Sequence, residues 1–360
     1  MSEVYDVIVI GGGQAGLAAG YHLHRRGADF LVLDTEQKTG DVWRRRWDSL
    51  RLFTPAQHDG LPGLRFPDAR GTFPTKDQVA DYLVEYVARF KLPVEHGVRA
   101  SRVWKSSDGF TIESTGGEYL ARAVIIATGT NPSPRVPVLA DEIDSGVSQI
   151  HSSEYVNPGR LPEGKVLVVG FGTSGAEIAE EVAKVGRDVT ISGTPTVHVP
   201  DPLLRVAGGL YWQVLHNVLT IRTPIGRKVA PKAVAHGAPL IRISRESVVS
   251  AGVTVVPKIS TVIDGAPVAS DGIRLDPDVI IWCTGFCPDY SWIDVPGLML
   301  DARGWPVVPL GIPTGVDGLG FVGVPFQVGL TSSLIGGVGR DAGIVVDRIV
   351  RGRARPKVTV

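Results

Sequence analysis

The sequence predicts an α/β protein with two Rossmann-like dinucleotide-binding domains, the second inserted into the first. Three observations support this prediction. A strand, a glycine turn and a helix follow one another at residues 6–27, and the same pattern returns at residues 165–186. Each copy is followed by a buried strand that ends in Thr-Gly. A repeated unit of this kind indicates two similarly built domains, and 360 residues are enough for both.

The first unit carries the turn Gly-Gly-Gly-Gln-Ala-Gly at residues 11–16. Gly11 allows a sharp turn, Gly13 lets the backbone approach a pyrophosphate, and Gly16 lets the helix pack closely on the strand. The free amides at the start of the helix then face the phosphates. Asp34 ends the next strand, where a carboxylate would accept hydrogen bonds from both ribose hydroxyls. The first unit is therefore predicted to bind a dinucleotide.

The second unit repeats the turn as Gly-Phe-Gly-Thr-Ser-Gly at residues 170–175, 159 residues after the first. At this offset Asp34 corresponds to Gly193, so the second site lacks the acid. A carboxylate there would repel a 2′-phosphate, so its absence favours NADPH. NADH stays open because no arginine flanks Gly193. Possible partners for a 2′-phosphate are Ser192, Thr194, Thr196 and Arg205.

The spacing of the Thr-Gly strands predicts the domain boundaries. Gly129 lies 118 residues after Gly11, and Gly285 lies 115 residues after Gly170. We therefore expect residues 1–133 and 288–360 to form the first domain and residues 134–287 to form the second.

The composition restricts the class of partner. Lys and Arg together number 37, as do Asp and Glu, so no net charge would attract nucleic acid. No apolar run approaches the roughly 20 residues that span a bilayer. Cys283 and Cys287 are too few for a disulfide framework, and their C-x3-C spacing indicates neither a redox pair nor a metal site. With no signal peptide recognised, we expect a cytoplasmic protein that binds a small organic molecule.

Several other segments carry predictions. The irregular segment 39–55 is expected to contact ligands. Thr75 and Gln78 predict a capping box that opens a helix with an apolar face of Val79, Leu83, Val87 and Phe90. Residues 98–120 predict strands joined by turns at Asp108-Gly109 and Gly116-Gly117. A last strand at 320–324 leads into a helix at 341–350, and the basic tail from Arg351 is expected to be solvated.

The segment from Val206 to Val229 is apolar on nearly every side of a helix. Burial within its own domain is the first interpretation, because helices of this kind are usually buried. A lid over a cavity, a helix on a membrane surface and a homodimer contact remain open alternatives.

Specific motifs show a resemblance to a known family. These are the two glycine turns, Gly40-x-x-Trp43, residues 48–52 (Asp-Ser-Leu-Arg-Leu), residues 73–76 (Phe-Pro-Thr-Lys), residues 127–129 (Ala-Thr-Gly), residues 197–200 (Val-His-Val-Pro) and residues 284–286 (Thr-Gly-Phe). Over nearly its whole length the chain resembles the class B flavin-dependent monooxygenases, particularly the YUCCA-like enzymes and related bacterial flavoproteins. Of the family fingerprint between the domains, His151 and Tyr155 remain. His151 is expected to pack the linker.

The resemblance implies FAD in the first site and NADPH in the second. The expected FAD contacts are Gly11, Gly13, Gln14, Ala15, Gly16, Asp34, Val42, Trp43, Leu52, Thr54, Val98, Thr128, Gly129, Leu330 and Thr331. The expected NAD(P)H contacts are Gly170, Gly172, Thr173, Ser174, Gly175, Ser192, Thr194, Cys283, Thr284 and Gly285. No catalytic side chain is identified firmly, and Thr54 and His58 are the polar candidates.

The predicted activity is that of an FAD-dependent NAD(P)H:oxygen oxidoreductase. It would insert one atom of O2 into a small organic substrate through a flavin C4a-hydroperoxide. The alternatives are an NAD(P)H oxidase or reductase without oxygen insertion, and a flavin-binding regulatory protein. A thioredoxin-reductase-like activity would require a C-x2-C dithiol, which the chain lacks.

Overall fold

A computed structural model describes residues 4–131, 133–199, 209–235 and 239–353. Pro200, Arg205, the start of the apolar segment at 206–208 and the tail from residue 354 lie outside the described residues. The strands are β1 Val4–Tyr5, β2 Val7–Ile10, β3 Phe30–Asp34, β4 Val94–His96, β5 Ala100–Ser106, β6 Gly109–Ser114, β7 Gly117–Ala121, β8 Val124–Ile126, β9 Ser133–Pro134, β10 Ser148–His151, β11 Val166–Val169, β12 Val189–Ser192, β13 His198–Val199, β14 Leu240–Ile241, β15 Thr254–Val256, β16 Ile259–Ile263, β17 Ala266–Ala269, β18 Val279–Trp282, β19 Phe286–Cys287, β20 Ile293–Asp294 and β21 Leu319–Phe321.

The helices connect these strands. They are α1 Gln14–His24, α2 Asp41–Arg44, α3 Lys76–Phe90, α4 Thr173–Lys184, α5 209–213, α6 Pro224–Ala235, α7 Arg245–Ser250 and α8 Ile335–Arg353. The irregular segment 39–55 thus contains one short helix, α2. A 3₁₀ turn at Ala56–His58 follows this segment, and a π-helical stretch at Val214–Val218 continues α5.

Two parallel sheets confirm the predicted fold class. The first has the strand order β21-β8-β2-β3-β4, and the second has the order β10-β18-β11-β12-β15. The strand before each glycine turn is central, β2 in one sheet and β11 in the other. Each of these central strands lies between the strand that follows the helix, β3 or β12, and the strand that ends in Thr-Gly, β8 or β18. The sequence repeat is therefore a repeat of three-dimensional structure.

The first glycine of each turn allows a close approach of two backbones. Gly11 has φ of 110° and Gly170 has φ of 115°, a region that favours glycine. A Cβ at Gly11 would lie 2.4 Å from the Ala127 carbonyl oxygen, and one at Gly170 would lie 2.3 Å from that of Cys283. Each turn therefore closes over the end of the neighbouring Thr-Gly strand, where a side chain would clash.

The last glycine of each turn packs the helix on the turn. A Cβ at Gly16 would lie 1.8 Å from the carbonyl oxygen of Gly11, and one at Gly175 would lie 1.9 Å from that of Gly170. Each helix therefore packs closely on its own turn, which is the role predicted for the last glycine.

The first sheet is covered on both faces, as expected for parallel strands. Val7 and Val9 of β2 pack with residues of α1, α3 and α8. Ile8 and Ile10 face the other way and pack against the antiparallel strands β5, β6 and β7. These three strands confirm the prediction for residues 98–120, and their two turns lie one residue earlier than predicted, at 107–108 and 115–116.

The chain passes between the two sheets twice, at neighbouring positions. β9 pairs antiparallel with β19, so the outgoing and returning segments lie side by side. Beyond residue 288, β20 pairs with β5 and β21 pairs with β8. The boundaries at 133/134 and 287/288 stay a prediction that this topology makes reasonable.

Helix α3 confirms the predicted capping box. The Gln78 amide donates to the Thr75 hydroxyl at 3.2 Å, and the Gln78 side chain accepts from the Thr75 amide at 2.8 Å. Tyr82 and Tyr86 are buried on this helix, and their hydroxyls donate to the carbonyls of Leu64 and Pro62. The helix therefore anchors the loop at 60–64 next to the 3₁₀ turn.

Helix α8 begins at Ile335, six residues earlier than predicted. The glycines at 336 and 337 disfavour a helix in a sequence-based assignment. Here they permit close packing. A Cβ at Gly336 would lie 1.5 Å from the His58 carbonyl oxygen, and one at Gly337 would lie 2.0 Å from that of Thr331. Tertiary contacts therefore override the local preference.

The interpretation of the apolar segment as a helix buried in its own domain is wrong for the residues described. Leu210 is 71% exposed, whereas Trp212 is buried. The segment packs against the C-terminal part of the chain, because the Leu330 amide donates to the Leu219 carbonyl at 2.9 Å and Thr220 pairs with Gly329. Within the described ranges, no helix is long and apolar enough to cross a membrane.

The capping box predicts a measurable loss of stability. Thr75→Ala removes the acceptor for the Gln78 amide and should lower the free energy of unfolding by about 1 kcal/mol. Thr75→Ser keeps the acceptor and should stay close to wild type. Urea unfolding followed by circular dichroism measures both. An equal loss in the two variants would show that the cap does not stabilise the helix.

Candidate functional site

One cavity of about 1070 Å³ connects the two glycine turns. Its wall includes Gly11–Ala15 of the first turn and Gly172–Gly175 of the second, together with both Thr-Gly strand ends. Sites for one drug-sized ligand occupy about 300–1,000 Å³, so this cavity has room for more than one ligand group. The two predicted nucleotide sites therefore open into a common space.

The middle glycines leave room for phosphate. A Cβ at Gly13 or Gly172 would meet no protein atom within 4 Å, in contrast to the crowded first and last glycines of both turns. Each lies directly before the first residue of its helix, where free backbone amides and the helix dipole favour an anion. The described residues thus fit the pyrophosphate groups of two dinucleotides.

Asp34 is buried against the first turn. Its carboxylate accepts from the Glu36 amide at 3.4 Å, and Oδ2 lies 3.8 Å from Nδ1 of His96. A Cβ at Gly12 would lie 2.6 Å from the same oxygen. Burial raises the pKa of this carboxyl above its ordinary value, while the backbone amides of Glu36 and Gly12 oppose the shift. The group is positioned to accept from hydroxyls in the cavity.

The segment 39–55, expected from the sequence to contact ligands, forms one wall of the cavity. Val42, Trp43, Leu52 and Phe53 provide its apolar surface. The indole nitrogen of Trp43 is buried without a hydrogen-bond partner. This wall would therefore keep part of a planar ligand away from water.

The charged side chains on the wall differ in their partners. Arg45 pairs with Glu36. Arg46 has no carboxylate partner among the described residues; it lies 5.9 Å from the Phe286 ring centroid, and Asn131 accepts from it at 3.3 Å when the amide oxygen faces the guanidinium. Burial and the neighbouring Arg45 lower its pKa. Arg46 is thus a cation available to an anionic group of a ligand.

A second pair lies beside the second turn. Arg242 donates to Glu177 at 2.6 Å and to the Arg51 carbonyl at 3.3 Å, and it lies over the Phe73 ring. Burial raises the pKa of Glu177 to about 7, although the Arg242 charge opposes the shift. Because Arg51 and Phe73 belong to the first half of the chain, Arg242 ties helix α4 to that half.

The structure brings most predicted contacts to the cavity. Predicted FAD contacts on the wall are Gly11, Gly13, Gln14, Ala15, Asp34, Val42, Trp43, Leu52, Thr54, Val98, Thr128 and Gly129. Predicted NAD(P)H contacts on the wall are Gly172, Thr173, Ser174, Gly175, Cys283 and Gly285. These assignments to individual cofactors remain predictions.

Other predicted contacts lie elsewhere. Gly16 packs against the Gly11 carbonyl and Gly170 against the Cys283 carbonyl, and neither lines the cavity. Ser192 is buried; its hydroxyl donates to the Pro257 carbonyl at 2.9 Å and accepts from the Ile259 amide at 3.0 Å. Thr284 donates to the Arg135 carbonyl. Thr194 is exposed outside the cavity. None of these three side chains lines the common space.

The C-terminal contacts are displaced by a few residues. Leu330 and Thr331 are covered by the segment 209–235, and Thr331 is fully buried with its hydroxyl 3.0 Å from His216 Nδ1. Ser333, Leu334 and Ile335 line the cavity instead, because α8 begins earlier than predicted. The start of this helix therefore adjoins the cavity.

His58 does not line the cavity. Its ring stacks on Trp212 with centroids 4.9 Å apart, and Trp212 stacks in turn on His216. Burial, with a smaller contribution from Arg340, lowers the pKa of His216 to about 4. Burial likewise lowers the pKa of His58, and its Nε2 has no partner. These stacked rings join the 3₁₀ turn to the apolar segment. Of the two polar candidates from the sequence, only Thr54 lies on the cavity wall.

The residue that sequence reasoning missed is Asp59. It is fully buried, and the Thr54 hydroxyl is hydrogen-bonded to its Oδ1. A sequence signal was present, because Asp59 is the one charged residue between Phe53 and Leu64.

His151 occupies the linker position expected for it. Its Nε2 lies 3.0 Å from the Gly285 carbonyl oxygen and its Nδ1 lies 2.8 Å from the Ser153 hydroxyl. The ring contacts Phe286 edge to face. His151 therefore braces the returning segment beside the cavity.

Comparisons with known proteins agree with this geometry. Residues 8–207 match the model of the pyridine nucleotide-disulphide oxidoreductase family. An uncharacterized CzcO-like oxidoreductase of Geobacillus kaustophilus is 36% identical over 97% of this chain and 99% of its own length. A probable indole-3-pyruvate monooxygenase of Arabidopsis thaliana, YUCCA9, is 28% identical over 79% of this chain and 76% of its own. A flavin-containing monooxygenase structure from Stenotrophomonas maltophilia superposes with a TM-score of 0.78 at 29% identity, covering 98% and 100% of the two chains.

The fold and the common cavity define an enzyme of the flavoprotein oxidoreductase class, with two dinucleotide-binding units. The chain belongs to the pyridine nucleotide-disulphide oxidoreductase family, within its class B flavin monooxygenase-like branch. The resemblance inferred from the motifs is thereby confirmed.

Alanine substitutions at two glycines of the second turn should affect dinucleotide binding and protein stability separately. A Cβ at Gly172 meets no protein atom, so Gly172→Ala should cost at most about 1 kcal/mol of stability, the loss expected for alanine at a helix N-cap. It should weaken NAD(P)H binding, because the methyl group fills the room left for phosphate. Gly175→Ala clashes with the Gly170 carbonyl and should cost about 1–3 kcal/mol of stability.

Thermal unfolding and the NAD(P)H concentration dependence of anaerobic flavin reduction measure the two effects. Wild-type dinucleotide binding in Gly172→Ala would contradict the assigned position of the phosphate.

Proposed function

We propose that this protein is an NAD(P)H-dependent flavin monooxygenase that transfers one atom of O2 to a small organic substrate. The observation that carries the proposal is the single cavity joining two glycine turns of matched geometry. A reductant bound at one turn and a flavin bound at the other would share this space. When bound, FAD supplies the electron transfer and oxygen chemistry.

The protein's contribution is to bind and orient the two cofactors. The first turn and Asp34 are assigned to FAD, and the second turn is assigned to the nicotinamide dinucleotide. The Gly193 position without an acid favours NADPH, and NADH remains the alternative because the nearby Ser192 hydroxyl is already bonded within the protein. Arg46 is available to an anionic group of either the dinucleotide or the substrate.

The cavity wall also controls water. Val42, Trp43, Leu52 and Phe53 provide an apolar surface beside the proposed flavin site. Excluding water strengthens electrostatic interactions and limits side reactions of reactive oxygen species. This property favours oxygen transfer over unproductive release of hydrogen peroxide.

An NAD(P)H oxidase is the second candidate function, because the same cavity could reduce oxygen without a substrate. A dithiol reductase is disfavoured by geometry. Cys283 is half-buried on the cavity wall, and desolvation of its thiol raises its pKa to about 12, so the thiol is a poor nucleophile. A purely regulatory flavin protein is disfavoured by the second turn, which provides a site for a reductant.

Isotope labelling tests oxygen transfer. The purified protein should be yellow and lose its flavin absorbance under anaerobic NADPH or NADH. Reoxidation in ¹⁸O2 with a candidate sulfide, amine, ketone or 2-oxo acid should place one labelled atom in the product. Quantitative recovery of the reducing equivalents as hydrogen peroxide with every substrate would favour the oxidase.

Asp34 should control retention of FAD. Asp34→Ala removes hydrogen bonds to a charged acceptor worth about 1.5–3 kcal/mol, which corresponds to roughly 10- to 100-fold weaker FAD binding. Asp34→Asn keeps the shape and one acceptor and should lose less. Since burial raises the pKa of this carboxyl, acid should release FAD at a higher pH than an ordinary aspartate would.

Fluorescence of released FAD, measured against pH, checks this expectation. Equal FAD affinity in wild type and Asp34→Ala would assign the ribose contact to another group.

A further inference from the structure

The loop beside the cavity contains a carboxyl without a counter-charge. Asp59 follows the 3₁₀ turn and is fully buried. Within the described part of the chain, no basic side chain forms an ion pair with it, and its Oδ2 has no hydrogen-bond partner. Burying an unpaired carboxylate is costly, so the neutral form is favoured. Burial accordingly raises the pKa of Asp59 to about 8, and the Thr54 hydrogen bond opposes the shift.

The other oxygen of Asp59 is linked to the cavity. Its Oδ1 shares a hydrogen bond with the Thr54 hydroxyl, and Thr54 belongs to the cavity wall. A hydroxyl has one proton to donate and two lone pairs that accept. The direction of the shared hydrogen bond therefore determines what Thr54 can offer on its other side.

The protonation state of Asp59 decides whether the Thr54 hydroxyl can donate a hydrogen bond to the cavity or only accept one. An ionised Asp59 has no proton, so Thr54 must donate to it and can present only lone pairs to the cavity. A neutral Asp59 can donate through Oδ1, which frees the Thr54 proton for an acceptor in the cavity. The carboxyl thus acts through Thr54 without itself reaching the ligand.

We propose that Asp59 is a positioning residue that sets the Thr54 hydroxyl as a hydrogen-bond donor to the cavity ligand when neutral and as an acceptor when ionised. The ligand addressed is the flavin of the proposed function, on which this part of the inference rests. The coupling between Asp59 and Thr54 is a property of the protein alone.

Few other titratable groups affect Asp59. Tyr82 of α3 faces it, and the Asp59 charge contributes to the raised pKa of that phenol. The phenol accepts from the Leu61 amide at 2.6 Å and donates to the Leu64 carbonyl at 2.8 Å. The adjoining His58 is stacked on Trp212. Tyr82 stays neutral below pH 10 and does not titrate in this range. Burial raises the pKa of Glu177 of α4 to about 7, so the Asp59→Asn variant is needed to identify the part of the titration that belongs to Asp59.

The raised pKa of Asp59 makes the stability of the folded protein depend on pH. The folded protein holds the Asp59 proton more tightly than the unfolded chain, whose ordinary value is 3.8. The resulting stabilisation is complete below that value and is lost as pH rises through about 8. The unfolding temperature of the flavin-free protein should therefore fall over this range.

The experiment follows two quantities between pH 5 and 9.5. The oxidised flavin spectrum is recorded on the holoprotein, and the unfolding temperature is measured on the holoprotein and on the flavin-free protein. In wild type, the midpoint of the change in the oxidised flavin spectrum should lie at the pH where the fall in unfolding temperature levels off, because the Asp59 contribution to stability is exhausted at its folded pKa of about 8. Asp59→Asn should flatten the Asp59 transition in both profiles and hold the spectrum in its low-pH form. Thr54→Val should retain the transition in unfolding temperature, displaced to higher pH, and should lose the spectral change.

Thr54→Ser is the matched control and should follow wild type in both profiles. The inference is overturned if Asp59→Asn keeps the transition, or if Thr54→Val keeps the spectral change at the wild-type midpoint. Failure to bind flavin would instead contradict the proposed function. In that case the unfolding profile of flavin-free Thr54→Val still decides the coupling, because a fall in unfolding temperature that levels off at the wild-type pH would exclude it.

Discussion

The close approach of backbone at the two glycine turns is the constraint on which the rest of the site depends. At Gly11 and Gly170 the turn passes so near the carbonyl ending the adjacent strand that a Cβ would overlap it. This contact fixes the height of the helix, the direction of its free amides and the position of the Thr-Gly strand end. Both turns satisfy the constraint in the same way, so the two turns have matching geometry at their first, middle and last glycines.

The arrangement of charge within the cavity follows from burial. Arg242 pairs with Glu177, and the solvent-exposed Arg45 pairs with the largely buried Glu36, which reduces the cost of removing the buried members from water. Asp34, Arg46 and Asp59 lack a close pair of this kind and differ in how they are satisfied. Asp34 is held mainly by backbone amides, Arg46 faces an aromatic ring and an amide, and Asp59 is favoured in its neutral form.

Long-range packing connects the two halves of the chain around the site. Helix α8 starts against the 3₁₀ turn because glycine at 336 leaves room for the His58 carbonyl. The segment 209–235 then covers the loop before that helix through the stacked rings of His58, Trp212 and His216. His58, a catalytic candidate from sequence, therefore has a packing role, and its neighbour Asp59 has the connection to the cavity.

The sequence by itself determined the fold class, the two glycine turns and the capping box at Thr75, and most of the residues it named as cofactor contacts lie on the cavity wall. These features are encoded within short stretches of chain, where glycine spacing and apolar periodicity have direct steric meaning. The start of α8, the placement of the apolar segment and the buried state of Asp59 were decided only by the tertiary structure. They depend on contacts between residues far apart in the chain, such as Gly336 with His58, and no local pattern specifies the burial that makes a carboxyl neutral.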